Sequence, residues 1–172
     1  MILDYNKSNM RILGIDPGYG IVGFGVIDKI SSANIQFVNC GVIKTDKNLS
    51  FSARLDEICN DLKEIISKYS PDVCAIEELF FAKNVTTGLK VAEARGVISY
   101  VLFKAGLSIY NYTPLQVKLA LTGDGRAAKS DVKKMVQLFL NYSAMNGGDD
   151  AIDALGVALT HSNFMVSTNS LV

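Results

Sequence analysis

Residues 11–15 form a short apolar run that stops at Asp16-Pro17-Gly18, and residues 21–27 then alternate, with Val22, Phe24 and Val26 on one face and Gly23 and Gly25 on the other. Two extended segments joined through a Pro-Gly turn predict a β-hairpin. Residues 35–44 supply a third extended segment: Gln36, Val38, Cys40 and Val42 fall on one side, and Ile35, Phe37, Gly41 and Ile43 are distributed around a local irregularity. Three adjacent antiparallel strands are therefore expected to open the chain.

The period then changes. Ser50 suits a helix cap, followed by apolar residues at Phe51, Leu55, Ile58, Leu62, Ile65 and Ile66, the three-and-four spacing of one buried stripe, ending near Ser70-Pro71. Val73–Ile76 is continuously apolar, as expected of a strand buried on both faces, and breaks off at Glu77-Glu78. Residues 86–105 read as helix and 107–112 as strand. Thr113-Pro114 is a helix start, with threonine capping and proline in the first turn, where its missing N–H costs nothing. After a glycine-containing loop at 123–126, a helix is expected from Ser130 and a last one from Asp149 to about Phe164. Three strands followed by alternating helices and strands predict an α/β fold: a mixed five-stranded sheet, three antiparallel strands then two parallel, flanked by helices. At 172 residues the chain suits a single domain over 1–172, with a loose extension at 1–9 and a loose tail at 164–172.

With 49% apolar and 20% charged residues, the composition excludes disordered and fibrous classes. The polar opening and the lack of any long uncharged apolar stretch point to a cytoplasmic protein without a secretory signal. Cys40, Cys59 and Cys74 have no paired spacing for a zinc site or a disulfide framework and read as small buried hydrophobes. Net charge is zero, but it is segregated. Residues 46–78 carry net −4 and 149–172 net −3, while 83–104 and 105–148 each carry net +3. Such a pattern suits an acidic cation-binding site beside a phosphate-binding surface, and equally suits solvated helix faces.

Two glycine motifs fail on context. Gly18-Tyr19-Gly20-Ile21-Val22-Gly23 matches a dinucleotide fingerprint, but a strand rather than a helix follows it and no acidic residue stands about 20 positions on. Gly125-Arg126-Ala127-Ala128-Lys129-Ser130 lacks the glycine that a Walker loop needs directly before its lysine. Four acids are better placed: Asp16 ends the first strand, Glu77 ends the buried strand, and Asp150 and Asp153 lie on the last helix. Asp16 also suits a turn, Glu77 a strand terminus and Asp150 a helix start. Asp153 does not fit these alternatives, because it lies past the first turn beside the core stripe Ile152, Leu155 and Leu159. If strand order brings Asp16 and Glu77 to the same crevice, like charges about 4 Å apart cost on the order of 4 kcal/mol per pair at an effective dielectric of about 20. A divalent cation would relieve that repulsion, and all-oxygen ligands without clustered His or Cys favour Mg²⁺ or Mn²⁺. Two such ions would serve in-line displacement at a phosphodiester.

Ile12-Leu13-Gly14-Ile15-Asp16-Pro17-Gly18, then Ala75-Ile76-Glu77-Glu78-Leu79-Phe80 with Ala82-Lys83-Asn84, then Ala94-Arg95-Gly96, then Asp150-Ala151-Ile152-Asp153-Ala154-Leu155 ending in Thr160-His161, together resemble the bacterial RuvC Holliday junction resolvases over about residues 10–161. The resemblance implies a ribonuclease H-like fold, a homodimer, and Mg²⁺-dependent nicking of two opposed strands of a four-way DNA junction in recombination and repair. Mn²⁺ is the expected substitute, with two ions per site. It implies Asp16, Glu77, Asp150 and Asp153 as the metal-binding catalytic acids. Phe80 corresponds to the aromatic that stacks on a junction base, although a core residue is an even alternative, and Lys118 and Lys129 to lysines near the scissile phosphate, with a solvated helix face as the other reading. Lys83 and Arg95 are weaker DNA-contact candidates. By analogy with the family, the helix at 86–105, with Ala92, Ala94 and Gly96, is the expected dimer contact, and the junction-binding and branch-migration helicase complex the expected partner. Glu78 and Asp149 adjoin motif positions without matching them, and His161 reads as a helix-end group or one that supports a ligand. The neutral sum and the N-terminal extension depart from the family pattern. Three readings remain open beside this one: another ribonuclease H-like nuclease acting on branched or RNA-containing substrates, a sugar-kinase-like ATPase disfavoured by length, and a non-catalytic junction-binding protein.

Overall fold

A computed structural model describes residues 9–79, 85–141 and 148–169. Strands β1 (Met10–Asp16), β2 (Ile21–Lys29) and β3 (Ile35–Lys44) open the chain, followed by helix α1 (Phe51–Tyr69), strand β4 (Val73–Glu77), helix α2 (Val85–Lys104), strand β5 (Ser108–Tyr112) and helices α3 (Pro114–Thr122), α4 (Lys129–Leu140) and α5 (Gly148–Asn169). The five strands form one sheet in the order β3-β2-β1-β4-β5. β1–β2 and β2–β3 are antiparallel, whereas β1–β4 and β4–β5 are parallel. The mixed sheet is the one the sequence predicts, including the irregularity in the third strand: Val26 pairs with Asn39 but Ile27 with Phe37, so Val38 is an extra residue in the ladder.

Helices cover both faces. Leu13, Ile15, Val22, Val26, Cys74 and Ile76 pack on Ile58 and Leu62 of α1 and on Ala94, Ile98 and Leu102 of α2. On the other face, Ile12, Ile27, Val73 and Ala75 meet Val117 and Leu121 of α3, Val132 and Val136 of α4, and Ile152, Leu155 and Leu159 of α5. β4 is buried on both sides because alternate residues feed both layers. Local chemistry sets the helix starts. The Ser50 side chain accepts from the Ala53 amide, and Thr113 and Gln116 form a reciprocal capping box ahead of Pro114.

α5 is apolar on all sides because it runs between the sheet and α3/α4, and every residue from Ala154 to Ser162 is buried. It approaches the sheet at three glycines. A Cβ at Gly14 would stand 2.1 Å from the Ala154 carbonyl oxygen, one at Gly23 would stand 2.1 Å from that of Asp150, and one at Gly25 would stand 2.7 Å from Leu155. The glycine face of β2 is thus the seat of the last helix.

Several expectations need correction. α5 continues past Phe164 to Asn169, so the segment 164–169 is helix rather than loose tail. α4 begins at Lys129, one residue before Ser130, with Ala128 as an N-cap that makes no side-chain bond. Ala94 is fully buried against the sheet and cannot face a partner, while Leu89, Tyr100 and Phe103 of the same helix are exposed, and the Gly96 backbone borders open space. Cys40 and Cys74 are buried as expected, and Cys59 is half-buried. Among the described residues no helix is long and apolar enough to cross a membrane.

Replacing Gly14 with alanine forces a methyl into the α5 backbone, which has no side chain to swing aside. We expect Gly14→Ala to cost at least about 3 kcal/mol, a fall in Tm of roughly 6–12 °C by calorimetry; an unchanged Tm would mean that α5 does not press on β1.

Candidate metal and nucleic-acid site

Asp16 and Glu77 are the C-terminal residues of β1 and β4, neighbouring parallel strands whose register pairs Ile15 with Ile76. The carboxylates therefore emerge side by side at one edge of the sheet. α5 brings two more. Gly23, paired with Asp16 across β1–β2, lies directly beneath the Asp150 carbonyl, so the helix seat sets the first two turns of α5 beside Asp16. Asp150 belongs to the first turn of α5, and Asp153 follows one turn later.

The electrostatics bind these acids into one cluster. Burial, followed by the charges of Asp153 and Asp150, pushes the Asp16 carboxyl up to about 6. Burial, followed by Asp16 and Asp153, pushes Glu77 up to about 8, and the hydrogen bond between the two carboxyls leaves the proton on Glu77. Asp153 is also raised by burial, which its contact with Lys129 only partly offsets. Like-charged carboxyls in a half-dry crevice stay partly protonated unless a cation joins them, and the donor set is all oxygen, which suits a hard divalent ion.

Lys129, the first residue of α4, supplies the positive charge in the chain itself. Its Nζ donates to Asp153 Oδ2 at 2.5 Å, and Asp153 raises its pKa through that bond. Lys133, one turn on, pairs with the exposed Asp149 at 3.0 Å, which holds that carboxyl below the usual range. As the side chains lie, no three His, Cys, Asp or Glu among the described residues form a ready ligand set, with Asp153 engaged by Lys129. Asp153, Glu77, Lys118 and Lys129 share a cleft of about 250 Å³ walled by Pro114 and Val117. The acids Glu77 and Asp153 thus share the cleft with lysines from α3 and α4, a lining that can hold a phosphodiester on the cations beside the carboxylates.

Arg95 stands apart from the cleft: its Nε donates to the Glu77 carbonyl at 3.3 Å and its Nη2 to Asn111 Oδ1 at 2.6 Å. Phe80 and Lys83 lie outside the described residues. Glu78 faces a separate groove with Leu79 and Arg95 rather than the acid cluster. Two things escaped the sequence. The Lys129–Asp153 pair spans 24 residues, and no local pattern announces it. His161 is not a helix-end group but a fully packed one, bonded to Tyr112, and its polar neighbours Thr160, Ser162 and Asn163 gave no sign of burial.

Residues 12–161 match the family model described as crossover junction endodeoxyribonuclease RuvC. The chain belongs to the RuvC family. Its relatives of that name include one from Thermosipho melanesiensis, 50% identical over 149 residues that cover 87% of this chain and 94% of the relative, and one from Thermotoga maritima, 46% identical over 90% and 92%. Among solved structures, this RuvC-family chain is similar to the T. thermophilus RuvC in complex with a Holliday junction substrate, with TM-score 0.86, 33% identity, and coverage of 92% of this chain and 96% of that one. The yeast mitochondrial Holliday junction resolvase Ydc2 shares the fold at TM-score 0.72 and 12% identity. The ribonuclease H-like sheet of the sequence reading is thus found in the family's own members.

Glu77 titrates late because its folded pKa lies well above the ordinary carboxylate value, so the fold loses stability as pH rises through about 8. In chelator, the Tm of the wild-type chain should fall between pH 6.5 and 8.5, and Glu77→Gln should flatten that slope. The window starts at 6.5 because His161 titrates well below it, pushed down to about 4 by burial and by Lys29. A wild-type Tm that rises over this interval would contradict the buried, mutually repelling pair.

Proposed function

We propose that this chain is a structure-specific endonuclease that resolves four-way DNA junctions by hydrolytic nicking of two opposed strands with Mg²⁺, or Mn²⁺ in its place. The observation that carries the reading is the half-buried Asp16–Glu77 pair, raised together with Asp153, with Glu77 and Asp153 lining one cleft with Lys118 and Lys129. The support beyond it is family membership over residues 12–161 and the resemblance to a RuvC bound to a Holliday junction.

Asp16, Glu77, Asp150 and Asp153 would hold two divalent ions. Bound there, the ions would activate water and offset charge on the leaving oxygen, as in two-metal displacement. The remaining work falls to the chain. Asp16 and Glu77, on the rigid ends of adjacent strands, would give up their shared proton to serve as ligands. Asp153 orients the incoming water and in doing so releases Lys129. Lys129 and Lys118 then meet the phosphate and steady the charge that develops on its oxygens. Phe80 is the candidate that stacks on a junction base, and Lys83 follows it as a backbone contact. The exposed face of α2, with Leu89, Tyr100 and Phe103 around Gly96, would receive the second copy, giving two cutting sites on one junction. The branch-migration helicase complex would act on the same junction, and the chain would work in the cytoplasm where chromosomal DNA lies.

One gel separates this from its neighbours: a labelled four-way junction with Mg²⁺ beside linear duplex and an RNA–DNA hybrid. Symmetric nicks confined to the junction are expected. Asp16→Asn should lower cleavage by about 10²- to 10³-fold or more while leaving junction binding near the wild-type level. Full cleavage by that variant would overturn the assignment of the acids, and cleavage of the hybrid in preference to the junction would select another ribonuclease H-like nuclease.

A further inference from the structure

His161 is 3% exposed in the middle of α5, and no step of the nuclease reading uses it. Its Nδ1 meets the Tyr112 hydroxyl at 2.7 Å in a fully buried hydrogen bond, and its ring lies on Tyr110 with centroids 4.2 Å apart. Tyr112 ends β5. It pairs with Glu77 in the parallel ladder, and its carbonyl accepts the Glu78 amide at 2.8 Å. A short line of bonds therefore runs from the helix that carries Asp150 and Asp153 to the backbone of the strand that carries Glu77.

An imidazole is a costly choice for this position. Its Nε2, like the neighbouring Ser162 Oγ, is buried without a hydrogen-bond partner among the described residues, a penalty that a hydrocarbon side chain would avoid. What the imidazole supplies, and a hydrocarbon cannot, is a directional bond. The glycines beneath α5 let it come close, but a surface without side chains sets a distance better than it sets a position along the axis. His161 lies eight residues beyond Asp153, about 12 Å along a stiff helix at roughly 1.5 Å per residue, so a fixed point there sets the axial position of the acids. A second tie acts on the same turn, where Lys29 Nζ donates to the Ser162 carbonyl at 2.6 Å. Burial keeps His161 neutral across the working range, so the bond persists at any assay pH near neutrality.

We propose that His161 is a positioning residue, whose hydrogen bond to Tyr112 fixes the register of α5 and thereby holds Asp150 and Asp153 in ligating position against Glu77. The proposal rests on the metal-dependent nuclease reading given above. A misplacement of about 1 Å at a reacting centre costs on the order of 10²-fold, and loss of groups that orient metal ligands costs about 10- to 100-fold.

The test compares His161→Phe, Tyr112→Phe, the double variant and His161→Asn with wild type. Four quantities are read: Tm, calorimetric Mn²⁺ affinity, junction binding in chelator, and kcat and KM on a four-way junction. Each single Phe variant breaks the bond between the two buried groups and should lose stability, whereas the double variant removes both groups and should regain part of it. If the bond sets register, the double variant keeps a kcat lowered about 10- to 100-fold and a weakened Mn²⁺ affinity, with KM and chelator-buffer junction binding unchanged. His161→Asn, which keeps a polar atom near the Nδ1 position, should recover part of both. Recovery of kcat and Mn²⁺ affinity alongside Tm in the double variant would overturn the proposal and leave His161 a packing residue. A wild-type chain that neither binds Mn²⁺ nor cuts junctions would overturn the nuclease reading itself, and the proposal with it.

Discussion

The contact between α5 and the glycines of β1 and β2 is the constraint on which the rest of the molecule depends. Gly14 and Gly23 let the helix backbone rest directly on the strand backbone, and Gly25 makes room for Leu155. That approach buries the middle of α5, from Ala154 to Ser162, and brings its first two turns level with the end of β1. Without it, Asp150 and Asp153 would stand about a side chain's thickness farther from Asp16. The fold thus spends conformational freedom at three glycines to gain a position for two carboxylates.

The same geometry explains how a chain with no net charge can be arranged to meet a polyanion. Acids are gathered where the sheet ends and the last helix begins, while Lys118, Lys129 and Lys133 come from α3 and α4 along one flank. Asp153 and Asp150 raise Asp16, Asp16 and Asp153 raise Glu77, and Lys129 partly neutralises the cluster from within. The cluster is therefore poised rather than stable: it lacks positive charge by more than one lysine can provide, which is the physical argument for a divalent cation.

Much of this was legible in the sequence because the chemistry falls at ends of elements. Asp16 and Glu77 terminate apolar runs, and a run that stops at an acid marks a strand edge whatever the fold. The order of strands and helices followed from the change of period between residues 44 and 51, and the extra residue in β3 from its broken alternation. What stayed hidden has a common cause. A glycine carries no sign of what covers it, so the Gly23 and Gly25 face was read only as the back of a strand. Ala94 is small enough for either a partner helix or a core, and burial decided for the core. His161 and the residues after Phe164 looked like a helix end because Ser162, Asn163, Ser167, Thr168 and Asn169 are polar, yet the first of these is buried between sheet and α3.

The acids are also remote along the chain, with Asp16 ending β1 and Asp153 lying on α5, after every strand of the sheet. During synthesis, a ribosome that has released the sheet but not α5 exposes a bare glycine trough and two carboxyls without company. If these acids form the cutting centre, none exists until α5 occupies that trough, and a chain still lacking α5 would be unable to cut DNA.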